Sequence, residues 1–164
     1  MASALKNLSS YDAETVPSCE GMRFAVVVSE WNTEITEPLY KGAVDTFLKF
    51  GAKEEDIIRR NVPGSFELTL GAQLMAERNE FDAIICIGVV IQGETKHFDF
   101  ICEAVGQGIT NLNIKYNLPV IFGVLTPNTM QQALDRAGGV HGNKGDEAAI
   151  TAIKMAALKK ELEE

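Results

Sequence analysis

His97 is one of two histidines in the chain, the other being His141. Its ordinary pKa of about 6.5 suits it to moving protons at neutral pH. It closes the run Gly88-Val89-Val90-Ile91-Gln92-Gly93-Glu94-Thr95-Lys96-His97, which has the layout of a phosphate loop: strand, glycine, helix. A triphosphate-binding loop needs a lysine where Glu94 stands, and a carboxylate there repels the phosphates, so triphosphate binding is rejected. What survives is a site for a single phosphate or similar anion. Gly93 lets a ligand approach the backbone, the free amides at the start of the next helix favour negative charge, and Thr95 adds a hydroxyl. The same residues also read as a tight turn capped by Thr95, and His97 as a surface or capping histidine.

Three further groups could take part. Trp31, the single tryptophan, sits in the loop Ser29-Glu30-Trp31-Asn32, where its ring could stack on a ligand or pack into the core. Phe66 and Glu67 follow Pro63-Gly64 at a helix start, a place where a carboxylate is favoured by the helix dipole alone. Arg136, in Asp135-Arg136-Ala137-Gly138, and Lys144, in Gly142-Asn143-Lys144-Gly145, read either as anion ligands or as solvated charges. With the loop Leu125-Thr126-Pro127-Asn128-Thr129, these segments suit a small polar ligand with a flat ring.

The elements that must position these groups follow from the hydrophobic pattern. Arg23 to Ser29, Ala83 to Ile91 and Pro119 to Leu125 are short, apolar and largely β-branched runs, the pattern of strands buried on both faces, and a further short strand is read around Asp56 to Val62. Between them, apolar residues recur at helical spacing over Thr33 to Phe50, Ser65 to Asn79 and Phe98 to Tyr116. A short helix from Asn128 to Ala137 and a longer one from Asn143 to Glu163 follow. Strand and helix alternate, which predicts an α/β fold: a three-layer αβα sandwich with a central parallel sheet. Ligands of such sheets bind beyond the carboxyl ends of the strands, where all four loops lie. Residues 1–21 are polar and read as a loosely held N-terminal arm.

The 164 residues are enough for one domain with a real core, and 46% hydrophobic with 23% charged residues is a globular composition. A net charge of −8 argues against nucleic acid and anionic membrane. No apolar run approaches membrane-spanning length, and the first twenty residues lack the basic start and apolar stretch of a signal peptide. Cys19, Cys86 and Cys102 form no CxxC pair and read as reduced thiols, which fits a cytoplasmic protein. No cysteine stands at zinc-finger spacing from either histidine, so no metal is expected.

Taken together, VPGSFEL at Val62 to Leu68, GVVIQGETKHFDF at Gly88 to Phe100, PVIFGVLT at Pro119 to Thr126, and DRAGG and GNKG near Asp135 and Asn143 resemble the lumazine synthases in order and spacing. The likeness runs from about Arg23 to the final helix. It implies a flavodoxin-like fold and a cofactor-free condensation of 5-amino-6-(D-ribitylamino)uracil with 3,4-dihydroxy-2-butanone 4-phosphate, giving 6,7-dimethyl-8-ribityllumazine, phosphate and water. In that scheme Trp31 stacks on the pyrimidine, and Ser65, Phe66, Glu67, Val89, Val90 and Ile91 line the pyrimidine and ribityl pocket. Glu94, Thr95 and Arg136 hold the phosphate, and His97 gives and takes protons. Phe122 arrives from a neighbouring subunit.

The resemblance further implies a homopentamer. The short link from Ala137 to Gly145 points to its closure into an icosahedral 60-mer, with riboflavin synthase as a candidate partner. Three positions depart from the common pattern: Trp31 replaces a frequent phenylalanine, Gln92 a frequent arginine and Thr69 a usual proline. None removes a proposed catalytic group. Two other classes compete. A flavin or ribityl carrier without catalysis would use the same loops, whereas a phosphate-accepting receiver domain needs clustered acids after the first strand, and only Glu30 is there.

Overall fold

A computed structural model describes residues 7–163. Four strands, β1 (Phe24–Ser29), β2 (Ile57–Val62), β3 (Ala83–Val89) and β4 (Val120–Leu125), form a parallel sheet in the order β2-β1-β3-β4. Helices α1 (Thr33–Lys49) and α5 (Lys144–Glu163) cover one face, and α2 (Leu68–Ala76) and α3 (His97–Tyr116) the other. The expected three-layer αβα sandwich is the observed fold, with a flavodoxin-like arrangement.

The period-two geometry of a strand explains the two cores. Phe24, Val26 and Val28 of β1 point towards α1 and α5, where Phe24 stacks on Phe47 with ring centroids 4.0 Å apart. Ala25 and Val27 point the other way, to Leu68, Ala72 and Ile109. All six β1 residues are buried, which is why the sequence there is continuously apolar rather than alternating.

Two elements differ from the sequence reading. The segment read as a helix from Ser65 begins as a tight 3-10 turn, Ser65–Glu67, and α2 starts only at Leu68 and ends at Ala76. The stretch after the short helix α4 (Met130–Leu134) forms a small antiparallel hairpin, β5 (Ala137–Gly139) with β6 (Gly142–Asn143). Glycine-rich and lacking any apolar alternation, it carries no strand signal.

The sequence reading of a loosely held arm falls partly outside the described residues, since it begins at residue 1. From residue 7 onward the segment is docked. Val16, Cys19 and Met22 are buried in the core beside α1 and α5, and the Cys19 backbone N–H donates to Phe50 O at 2.9 Å. Tyr11 packs on Phe50, with Lys49 Nζ 5.0 Å from the Tyr11 ring centroid. A few apolar residues at irregular spacing do this, so no periodicity announces it. Among the described residues no helix is long and apolar enough to cross a membrane, and no group of three or more His, Cys, Asp or Glu could hold a metal ion.

Candidate active site at the strand ends

The carboxyl ends of the strands are level, with Ser29 opposite Val62 and Val89 opposite Leu125. The loops that leave them are hydrogen-bonded to one another edge by edge. Glu30 N–H donates to Val62 O at 2.8 Å and Trp31 N–H to Pro63 O at 3.1 Å, joining the first loop to the second. The Ser65 hydroxyl donates to Val89 O at 3.1 Å, joining the second to the third. Val90 N–H donates to Leu125 O at 2.8 Å and Gln92 N–H to Pro127 O at 3.0 Å, joining the third to the fourth. Loop backbone that would otherwise need water is thereby satisfied internally and held in place.

On this rim Trp31 is 66% exposed, which removes the core-packing reading. Its ring lies on the bare backbone of Gly64, so closely that a Cβ added there would fall 2.5 Å from Cε3 and Cζ3. The next residue, Asn32, takes a left-handed conformation, φ 61° and ψ 55°, and heads α1 without a side-chain capping bond; Asn tolerates this region better than most residues. Glu67 reaches back so that its Oε2 accepts the Gly64 N–H at 3.0 Å. The carboxylate is thus a cap, as the dipole argument allows, and also a brace beside the Trp31 contact. Phe66, on the same turn, is 56% exposed.

Beneath the rim, Gly88 makes room for two hydroxyls. A Cβ there would lie 2.6 Å from Ser65 Oγ and 3.2 Å from Ser29 Oγ. Ser29 is buried, and its hydroxyl has no hydrogen-bond partner among the described residues. Gly64, Gly88 and Ser29 set this geometry, yet the sequence reading gave them no role. The only available signal was their small size at strand ends.

The side of the rim formed by the third loop is more open. Gly93 to Lys96 form a turn, and α3 begins at His97, so the free amides of the helix start lie later than the glycine suggested. Lys96, not Thr95, is in the capping position, and Thr95 Oγ1 accepts the His97 N–H at 3.3 Å. Gln92, Glu94, Thr95 and His97 are all exposed, and nothing lies within 4 Å of a Cβ placed on Gly93. Arg136 follows α4, where its Nη1 donates to Gln132 O at 2.9 Å. Lys144 is ion-paired with Glu147.

The structure therefore brings Trp31, Ser65, Glu67, Val89, Val90 and Ile91 to one rim, with the turn carrying Glu94, Thr95 and His97 next along the chain. Phe122 stands apart. It sits midway along the edge strand β4, opposite Cys86, and is 37% exposed while Ile121, Gly123 and Val124 around it are buried. Its position serves no pocket at its own strand ends. Other large apolar groups are bare as well, among them Leu70 and Leu74 on α2, Phe100 and Ile114 on α3, and Val140 in the hairpin. So much bare apolar surface marks faces that other protein covers.

Comparison with known proteins identifies the family. The profile of the 6,7-dimethyl-8-ribityllumazine synthase family matches residues 21–160. The chain belongs to that family. It is 64% identical over 157 residues to the 6,7-dimethyl-8-ribityllumazine synthase of Cytophaga hutchinsonii, covering 96% of this chain and 98% of the relative. To the enzyme of the same name from Porphyromonas gingivalis it is 56% identical over 160 residues, 98% and 99% of the two chains. To that of Flavobacterium johnsoniae it is 58% identical over 161 residues, 98% and 85% of the two. A lumazine synthase is an enzyme of riboflavin biosynthesis, so the carrier and receiver readings fall away.

Proposed function

We infer that each rim is half of an active site in which 5-amino-6-(D-ribitylamino)uracil and 3,4-dihydroxy-2-butanone 4-phosphate condense to 6,7-dimethyl-8-ribityllumazine, phosphate and water. One observation carries the reading: an exposed indole seated on Gly64, at the edge of a rim whose loops are hydrogen-bonded to each other. A flat, electron-rich ring resting on bare backbone, with its other side open to solvent, is a stacking platform for a pyrimidine. Ser65, Phe66 and Glu67 with Val89, Val90 and Ile91 line the ring and ribityl pocket.

Thr95 and Arg136 bind the phosphate. Glu94 contributes through its main chain, since its carboxylate would repel the anion. His97, at the start of α3 and open to solvent, exchanges protons as the amine adds to the ketone and phosphate departs. Orienting the two substrates lowers the barrier by up to about 7 to 11 kcal/mol in well-placed pairs. Acid–base help adds roughly 10²- to 10⁴-fold, so orientation is the larger share.

The second half of the site comes from another copy of the chain. Phe122, unsuited to its own pocket, completes a neighbour's, and the bare apolar faces of α2 and α3 are buried in a homopentamer. The short turn between β5 and β6 favours closure of pentamers into an icosahedral 60-mer, in a cytoplasmic setting, where riboflavin synthase is a suitable companion.

The test is direct. The purified protein mixed with both substrates is followed by product absorbance, and particle size by light scattering. Trp31→Ala and Phe122→Ala variants, each impaired alone, are then co-assembled. Shared sites regain activity in the mixture, because some pockets receive both intact residues. No recovery in mixed particles would show that Phe122 does not complete a neighbour's pocket.

A further inference from the structure

The 3-10 turn and loops at the strand ends are held by the sheet, but Arg136 is not. It lies in the turn between a five-residue helix, α4 (Met130–Leu134), and a hairpin of three- and two-residue strands whose register slips between Ala137 and Gly139. Neither element is long enough to hold itself in place. Anchors from elsewhere must fix it, and most of those on the solvent side come from the segment nearest the N-terminus. Leu8 N–H donates to His141 O at 2.7 Å, and Asn143 N–H donates to Ser9 Oγ at 2.9 Å. Asn7 Oδ1 accepts the Ser9 N–H at 2.8 Å, which sets the direction of the serine. Gly142, at φ +78°, leaves the space for this contact: a Cβ there would fall 2.2 Å from Asn7 Oδ1 and 2.9 Å from Ser9 Oγ.

The turn so gripped is tied straight to the arginine. His141 N–H donates to Asp135 O at 2.8 Å, and Lys144 N–H, one residue beyond the Ser9 contact, donates to Arg136 O at 2.9 Å. On the far side Asn143 Nδ2 donates to Pro38 O of α1 at 2.9 Å. The Arg136 backbone is thus bracketed by two carbonyl contacts, and both lead within one or two residues to the clasp made by residues 7–9.

We propose that residues 7–9 act as positioning residues for Arg136, clasping the 141–143 turn so that the guanidinium is presented to the phosphate of the four-carbon substrate. The proposal rests on the assignment of Arg136 to that phosphate. It gives residues 7–9 a part in substrate selection, beside the core packing of Val16, Cys19 and Met22 further along the segment.

Full-length Ser9→Ala, Ser9→Thr and Gly142→Ala are compared with Arg136→Ala, with KM taken separately for each substrate and inorganic phosphate used as a competitive inhibitor. Loss of one such hydrogen bond corresponds to about three- to tenfold. Ser9→Ala and Gly142→Ala should raise KM for the phosphosugar and Ki for phosphate by about that factor, with KM for the pyrimidine unchanged and assembly intact, while Ser9→Thr restores both. In an Arg136→Ala background Ser9→Ala should add nothing. An additive loss there, or a Ser9→Ala effect equal on both substrates, overturns the clasp. If Arg136→Ala itself leaves phosphosugar KM unchanged, the underlying assignment of Arg136 fails instead.

Discussion

Gly64→Ala and Gly88→Ala are the same chemical change on one rim, and the structure assigns them opposite consequences. At Gly88 the new methyl meets Ser65 Oγ at 2.6 Å and Leu68 Cδ1 at 2.9 Å, both on buried residues with no room to retreat. Overpacking of that kind costs about 1–3 kcal/mol, offset by up to about 1 kcal/mol of reduced unfolded-state freedom. A net loss of about 1–2 kcal/mol is expected. At Gly64 the backbone is extended, φ −133°, so alanine is not strained. The methyl instead meets the Trp31 ring at 2.5 Å, and that ring, 66% exposed, is free to swing away.

Stability should therefore change by less than about 1 kcal/mol in Gly64→Ala, since the reduced unfolded-state freedom partly offsets the clash. Binding of the pyrimidine should fall, because a displaced stacking platform loses about 1–3 kcal/mol, or about five- to 150-fold in KM. The chain has a single tryptophan, so its intrinsic fluorescence reports this ring alone. Urea denaturation, steady-state kinetics with each substrate varied, and the emission spectrum separate the two variants. An unchanged spectrum and pyrimidine KM in Gly64→Ala, or a stability loss matching that of Gly88→Ala, would refute the placement of Trp31 as a platform on Gly64.

His97→Ala should keep measurable turnover, slower by roughly 10²- to 10⁴-fold, and complete loss in a particle that still binds both substrates would reverse the ranking of orientation over proton transfer. Burial pushes the Cys86 thiol up to about 12 and raises that of Cys19. Partial burial and Asp99 raise the Cys102 thiol as well, but Cys102 alone of the three is not fully buried, so short iodoacetamide treatment of the native protein followed by peptide mass spectrometry should modify Cys102 first and leave Cys86 intact; early labelling of Cys86 would contradict its burial. Burial, with Asp45 adding repulsion, raises the Asp146 carboxyl above its ordinary 3.8 despite a hydrogen bond from Ser9. The folded state then holds this proton more tightly than the unfolded one, so the contribution of Asp146 to stability is greatest below that value and declines as pH rises through the raised one. Relative to the parent, Asp146→Asn should gain melting temperature from pH 3 to 6, whereas a pH-independent difference would count against it.

Most of the sheet was legible because strands buried on both faces leave an unbroken apolar signature in β1, β3 and β4; the edge strand β2, half-exposed and carrying Arg59, Arg60 and Asn61, completes the topology from which the strand-end rule places the site. The hairpin that carries Arg136 was not. Its residues are held by contacts to Leu8, Ser9 and Pro38 rather than by local preference. Trp31 could be placed in a rim loop from its position after β1, but not upon Gly64, since that pairing spans two loops and depends on the register of Ser29 with Val62. Local sequence also favoured a surface or capping role for His97 and left Arg136 balanced between ligand and surface charge. Only the set of motifs in order tipped that balance.

The apolar groups left bare on α2, α3 and β4 have a consequence for how the catalyst responds to dilution. If folding of one chain exposes Leu70, Phe100, Ile114 and Phe122, and if the pocket lacks a wall until a neighbour arrives, then stability and turnover are both functions of protein concentration. Below the assembly threshold the loss would be of sites rather than of rate per site. Activity per milligram would fall while the KM of the surviving particles stayed constant.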